Sequence, residues 1–247
     1  MSGHSKWSTI KRKKAVVDSK RSQMFTKLLR EIQVAAKVGG PNIDANPRLR
    51  LAVNLAKKNS VPRDRIEAAI HKSSGADADN FVEKIYEGYA PGGVAIMVES
   101  ATDNINRTVA NIRSYFNKHG GSLGSSGSVS YMFSRKAIFG FPKPNIDEEE
   151  LALALIDAGA EDIETDAENF MTVTAPFENF GAVNSALENL NIEPEETNIS
   201  YVPSNTVTLG WEAAQKVLRL IEVIEDDDDT QKVFHNLELT EEIMAHL

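Results

Sequence analysis

Apolar residues recur at three- and four-residue spacing through the first part of the chain. Between Ser19 and Val38, the residues Phe25, Leu28, Leu29, Ile32, Ala35 and Ala36 fall on one stripe at about 100° per residue. That stripe predicts a helix, ended by Gly39-Gly40-Pro41. Asn46 followed by Pro47 predicts an N-cap and a first helical position, with Leu49, Ala52, Val53 and Ala56 as the buried face of a second helix. A third helix is expected after Pro62, with Ile66, Ala69 and Ile70 inward. Trp7 to Val17 is basic and only weakly amphipathic, the pattern of a short helix or an arm.

After Ser73 to Asn80, a linker pattern of Ser, Gly, Ala and Asp, the period shifts. Alternating runs at Val82 to Ala90 and Val94 to Ala101 flank Pro91-Gly92-Gly93 and predict a hairpin. Thr102-Asp103 is the expected cap of a helix to Lys118, followed by a Gly and Ser loop and a strand from Ser128 to Phe133. The next stretch reads strand (Ala137 to Phe141), helix (Asp147 to Ala158), strand (Asp162 to Thr165), strand (Phe170 to Thr174), helix (Glu178 to Leu190) and strand (Thr197 to Val202). That βαββαβ order is the ferredoxin-like unit. A helix from Trp211 to Ile224 and a strand around Gln231 to His235 complete the chain, and a lone terminal strand needs a sheet to join. The expected fold is therefore α+β: an N-terminal helical bundle followed by two α/β sandwich-like domains, the third ferredoxin-like and inserted into the second. The corresponding domains are residues 1–75, residues 80–134 plus 204–247, and residues 135–203.

Composition narrows the function classes. The 247 residues are 41% hydrophobic and 26% charged, without cysteine, as in a soluble globular protein of one to three domains. No disulfide framework, thiolate metal site or thiol nucleophile is available. No apolar run approaches a membrane span and the N-terminus lacks a secretory pattern, so a cytoplasmic protein without a membrane partner is expected. The net charge of -9 conceals a division. Met1 to Lys72 holds 17 Lys/Arg against 5 Asp/Glu, net +12, whereas Ser73 to Leu247 holds 10 against 31, net -21. A basic block on an acidic body suggests an anionic partner at one end and a surface for a protein partner at the other.

Several motifs are recognisable. They are Gly3-His4-Ser5-Lys6-Trp7, Ala45-Asn46-Pro47-Arg48-Leu49-Arg50-Leu51-Ala52, Tyr86-Glu87-Gly88-Tyr89 leading to Pro91-Gly92-Gly93-Val94, and Thr102-Asp103-Asn104 with Asn106-Arg107-Thr108. With Gly120-Gly121, Leu123-Gly124 and Gly127-Ser128-Val129, they resemble the YebC family, densely through Phe133 and more loosely beyond. Members are described as transcriptional regulatory proteins, and mitochondrial relatives as translational activators. The resemblance implies three domains with a cleft between them and no assigned enzymatic activity. It names DNA first as the partner, with ribosomal RNA or the ribosome as the alternative.

The residues carry a matching chemistry. On the first long helix Lys20, Lys27, Arg30 and Lys37 fall on a face separate from the apolar stripe. The run Lys11-Arg12-Lys13-Lys14, Arg48 and Arg50, and Lys57 with Lys58 add repeated, long-reach cations of the kind a phosphate backbone requires. Arg48 and Arg50 stand near a helix start, where cations oppose the helix dipole unless an anion is bound or Asp44 or Asp64 pairs with them. Trp7, beside Lys6, either stacks on a base or anchors the arm. Arg63 and Arg65 open a helix after a short turn, a weaker pointer to base contact.

Other signals fail. Gly121-x-x-Gly124-x-x-Gly127 lacks a Gly-Lys-Ser/Thr and reads as a flexible loop at a domain junction. The acidic run Glu225 to Asp229 has calcium-loop composition without its spacing and reads as a solvated turn. The five histidines have no ligand spacing, so neither metal nor cofactor is expected. Glu99, Asp103 and His119 are the residues an enzymatic cleft would use, without a paired nucleophile and base.

Overall fold

The computed structural model describes residues 18–73 and 81–246. The expected arm and most of the expected linker lie outside the described residues. Among the described residues three helices come first: α1 (Asp18–Gly39), α2 (Pro47–Lys58) and α3 (Arg63–Lys72). Their apolar stripes meet in one core containing Ile32, Ala35, Ala36, Leu49, Ala52, Val53, Ala56, Ile66 and Ala69. These are the positions expected from spacing. Buried Asn46 links α1 to α2: its Oδ1 accepts from the Leu49 amide at 3.1 Å, and its Nδ2 donates to the carbonyls of Ala35 and Gly40 at 2.8 and 2.9 Å. One side chain thus satisfies orphan groups at a helix end and a helix start. Gly39 has to be glycine because a Cβ there would lie 2.6 Å from Asn46.

The hairpin follows as β1 (Val82–Tyr89) and β2 (Ala95–Thr102) around a 3-10 turn at Pro91–Gly93. Next come α4 (Ile105–Lys118) and β3 (Ser122–Leu123). The cap of α4 is Asn104, which accepts from the Arg107 amide at 3.0 Å, and not Thr102-Asp103: Thr102 still belongs to β2 and Asp103 is paired with Arg107. The expected strand from Ser128 is instead a 3-10 turn at Ser130–Met132, and extended chain begins only at Phe133. Then follow β4 (Phe133–Pro142), α5 (Glu148–Asp157), β5 (Asp162–Thr165), β6 (Phe170–Pro176), α6 (Phe180–Asn189) and β7 (Glu196–Pro203). The chain closes with α7 (Trp211–Glu225), β8 (Thr230–His235) and the short α8 (Glu241–Ala245), which periodicity did not indicate.

The molecule is α+β and divides into two compact units, one of Tyr131–Thr206 and the other of the remaining described residues. In the first, the sheet order is β5-β6-β4-β7, all antiparallel, and Leu151, Leu155, Val183 and Leu187 of α5 and α6 pack on Phe139, Phe141 and Val173. In the second, the order is β3-β1-β2-β8, again antiparallel, with β8 pairing Phe234 to Met97 and His235 to Ile96. The central strand β2 is therefore flanked by its hairpin neighbour β1 and by β8, which arrives from more than 125 positions further along the chain. The helices α4 and α7 pack on this sheet and on each other, burying Ile112, Phe116, Val217, Leu220, Ile221 and Ile224.

Candidate functional site

The polar centre of the larger unit is Asp229, whose side chain is 3% exposed. It stands just before β8 and reaches the ends of β2 and α4. Arg107 donates from Nε at 3.2 Å and from Nη2 at 2.9 and 2.7 Å to its two carboxylate oxygens, and Arg30 of α1 donates at 3.0 Å. The hydroxyls of Thr102 and Thr108 lie 3.2 and 2.7 Å from Oδ2. Burial alone would raise the Asp229 pKa, but hydrogen bonds from Arg107 and Thr108 and the charges of Arg107 and Arg30 outweigh it, holding the carboxyl below its ordinary value. Beside it Asp227 accepts from Asn111 at 3.2 Å and from the Tyr115 hydroxyl at 2.9 Å. Burial, that hydrogen bond and the neighbouring aspartates push Tyr115 up to about 12.

The run Glu225 to Asp229 ends α7, but as a turn it is solvated only in part: Asp226 and Asp228 are exposed, whereas Asp227 and Asp229 are buried. Its backbone carbonyls also collect α1: Lys27 donates to the carbonyl of Glu225, Gln23 to that of Asp226, and Arg30 to those of Asp228 and Ala101. Cations at the carbonyl end of a helix, here α7, satisfy its last acceptors and complement its dipole. Arg30 also lies over the Phe81 ring at 4.8 Å. A cleft of about 500 Å³ opens here, lined by Arg30, Phe81, Asp103, Arg107, Asn111, Asp227, Asp228 and Asp229. Two guanidiniums face four carboxylates, so the cleft offers an anion no net attraction.

The remaining arginines of the motif are also engaged. Arg48 bridges Glu31 of α1, at 2.9 and 3.2 Å, and Glu83 of β1, at 3.0 and 2.6 Å. These carboxylates raise its pKa above the ordinary arginine value, and they supply the anions that offset its place at a helix start. Arg50 donates to the carbonyls of Ile43 and Asp44. The Gly-rich loop is held rather than loose. Buried Glu87 accepts from the amides of Gly127, Val129 and Ser130 at 2.8, 2.7 and 2.8 Å, and its carbonyl accepts from Gly124. A concave run of amides of this kind binds anions, and here the chain's own carboxylate fills it. Burial would raise the Glu87 pKa, but the three amides lower it on balance.

A family profile described as the TACO1/YebC protein N-terminal domain matches residues 5–76, and one described as the TACO1/YebC second and third domain matches residues 81–237. The chain belongs to the TACO1/YebC family. Relatives include a "Probable transcriptional regulatory protein" of Amoebophilus asiaticus, 50% identical over 96% of this chain and 98% of its own. A protein of the same description from Rubrobacter xylanophilus is 49% identical over 100% and 99%. The crystal structure of a conserved hypothetical protein from Aquifex aeolicus aligns with a TM-score of 0.82 at 45% identity, covering 94% of this chain and 96% of that one.

In this TACO1/YebC chain the cations singled out from sequence separate into groups. Lys27, Arg30, Arg48 and Arg50 serve internal contacts, so the separate cationic face expected on α1 is covered at Lys27 and Arg30, whereas Lys37 is exposed. Lys57 and Lys58, in the last turn of α2, and Arg63 and Arg65, in the first of α3, are exposed. Lys6, Trp7, Lys11, Arg12, Lys13 and Lys14 lie outside the described residues, and Lys20 precedes the described side chains. Asp103 and His119 flank the 14-residue α4, about 20 Å of helix apart, so no catalytic grouping of Glu99, Asp103 and His119 forms. Among the described residues no cluster of acids and histidines could hold a metal ion, and no helix is long and apolar enough to cross a membrane. Sequence reasoning missed Asp229 and Glu87. Glu87 lay within a recognised motif, but nothing local marked either as buried.

Proposed function

We propose that this chain is a nucleic-acid-binding regulator that grips the phosphate backbone with its N-terminal helices. The supporting observation is the corner between α2 and α3, where Lys57, Lys58, Arg63 and Arg65 are exposed within a segment of net charge +12. Lys37, and in sequence Lys20, Lys6, Trp7 and the run Lys11 to Lys14, belong to the same basic segment and complete the binding set in this reading, while the acidic remainder keeps nucleic acid to this end. Duplex DNA is the first target, in line with the naming of relatives as transcriptional regulatory proteins.

Structured RNA, including the ribosome, is the second reading, and one observation favours it. Arg63 turns along its own helix to Glu67 at 2.7 Å, so the start of α3 offers backbone contact without evident base readout. In the same spirit we read the unit with order β5-β6-β4-β7 as ferredoxin-like, the three domains as residues 1–75, 80–134 plus 204–247, and 135–203, and the location as cytoplasmic.

The deciding measurement compares promoter-length duplex DNA, structured RNA and intact ribosomes across a salt series. Affinity for duplex that exceeds the other two at physiological salt supports transcriptional regulation, and ribosome co-sedimentation surviving that salt supports the second reading. Loss of all binding at that salt overturns both.

A further inference from the structure

In the unit Tyr131–Thr206, α5 has two apolar faces. Leu151 and Leu155 are buried against the sheet, whereas Leu153 and Ile156, one turn apart, are 62% and 56% exposed. Isolated exposed apolar side chains are ordinary, but these two are neighbours on a helix whose other outward residues include Glu149, Glu150 and Asp157. Neither α5 nor the adjoining α6 carries a lysine or arginine. The outward positions of α6 include the uncharged Gly181, Ala182 and Ser185. Lys143, just ahead of α5, is paired with Glu148. From residue 131 to 206 the chain holds 3 Lys/Arg against 15 Asp/Glu, net -12.

We propose that the outer face of α5 is a docking surface for a basic amphipathic protein segment. Apolar side chains of the segment cover Leu153 and Ile156, and its Lys or Arg residues meet Glu149, Glu150 and Asp157. Charge complementarity selects this occupant. A net charge of -12 repels phosphate and anionic lipid, whereas a cationic segment is steered towards it. The exposed pair then supplies an apolar anchor, as in helix recognition generally. The proposal does not depend on nucleic-acid binding, which rests on the other unit.

The test uses the full chain and a labelled synthetic helical peptide with leucines on one face and lysines on the other. Its control peptide has the leucines replaced by alanine. Anisotropy titrations compare the wild type with Leu153→Gln/Ile156→Gln and with Glu193→Gln/Glu195→Gln, each checked for folding by circular dichroism. The first double variant, and the alanine peptide on wild type, are expected to bind at least about tenfold more weakly. The glutamate variant is expected to bind as wild type. Equal weakening in both variants means diffuse charge attraction and overturns the proposal, as does binding indifferent to Leu153→Gln/Ile156→Gln. Sedimentation showing wild-type self-association lost in that variant assigns the face to a second copy and also overturns it. Duplex DNA binding of the same variant, expected to be unchanged, separates failure here from failure of the nucleic-acid reading.

Discussion

Arg107 and Asp229, 122 residues apart in sequence, form a forked ion pair in which the arginine Nη2 lies 2.9 and 2.7 Å from the two carboxylate oxygens. Arg30 approaches the same carboxylate from α1. A single aspartate thereby ties the first helix, the start of α4 and the entry to β8 together. Its partners make it structural: an anion already coordinated by two guanidiniums and two hydroxyls has no capacity left for a ligand.

Asp229→Ala is expected to destabilise the larger unit by about 3 kcal/mol, because it leaves Arg30 and Arg107 without the buried carboxylate they share and removes one acceptor from the hydroxyls of Thr102 and Thr108. The figure sits at the low end for a broken buried pair because the Arg107 side chain is 46% exposed. Urea midpoints of this variant and of the exposed control Arg113→Ala measure the difference; equal midpoints refute the keystone role.

The pH dependence has opposite signs at the two ends of the scale. Asp229 and Glu87 have lowered pKa values in the folded chain, so their contribution is full above the unfolded-state values and is lost as pH falls through the folded ones. Tyr115, raised to about 12, contributes fully below its unfolded value and loses that contribution as pH rises towards 12. Melting temperatures should therefore fall below about pH 4 and again above about pH 10. Tyr115→Phe should flatten the alkaline limb and leave the acid one unchanged.

Glu87→Ala empties the concavity under the Gly-rich loop and leaves three inward amides without an acceptor. The expected cost is about 2 kcal/mol, with faster hydrogen exchange at Gly127, Val129 and Ser130 than at Ile112 in α4. Unchanged protection at those three amides would show that the loop holds itself.

Outward and inward cations should behave differently. Lys57→Glu/Lys58→Glu is expected to weaken nucleic-acid binding and reduce the slope of log affinity against log salt by about two. Arg30→Gln is expected to lower the denaturation midpoint while leaving that slope nearly intact. An unchanged slope in the lysine variant would move the interface elsewhere.

The elements legible in the sequence are those written in local contacts. Asn46-Pro47 announces α2 because a cap bonds to an amide three residues on, and Leu49, Ala52, Val53 and Ala56 lie inward because a helical period places them there. The cap of α4 lies one or two residues beyond the expected Thr102-Asp103, since Thr102, Asp103 and Asn104 all have capping side chains and the sheet claims Thr102. The turn at Ser130–Met132 resembled a strand because its neighbours alternate, yet Glu87 holds its first amide.

The division of charge and the family could be read from the order of residues, and so could most helices and strands, because each depends on neighbours within a turn or a hairpin. The side chains that face solvent could not. A helical wheel groups Lys27 and Arg30 on one face but says nothing about what covers it. Here the cover is the end of α7 and the turn after it, 198 and 199 residues away, delivered only when β8 pairs with β2. The acidic run looks solvated for the same reason: its carboxylates and carbonyls acquire their partners only when α1, α4 and α7 come together.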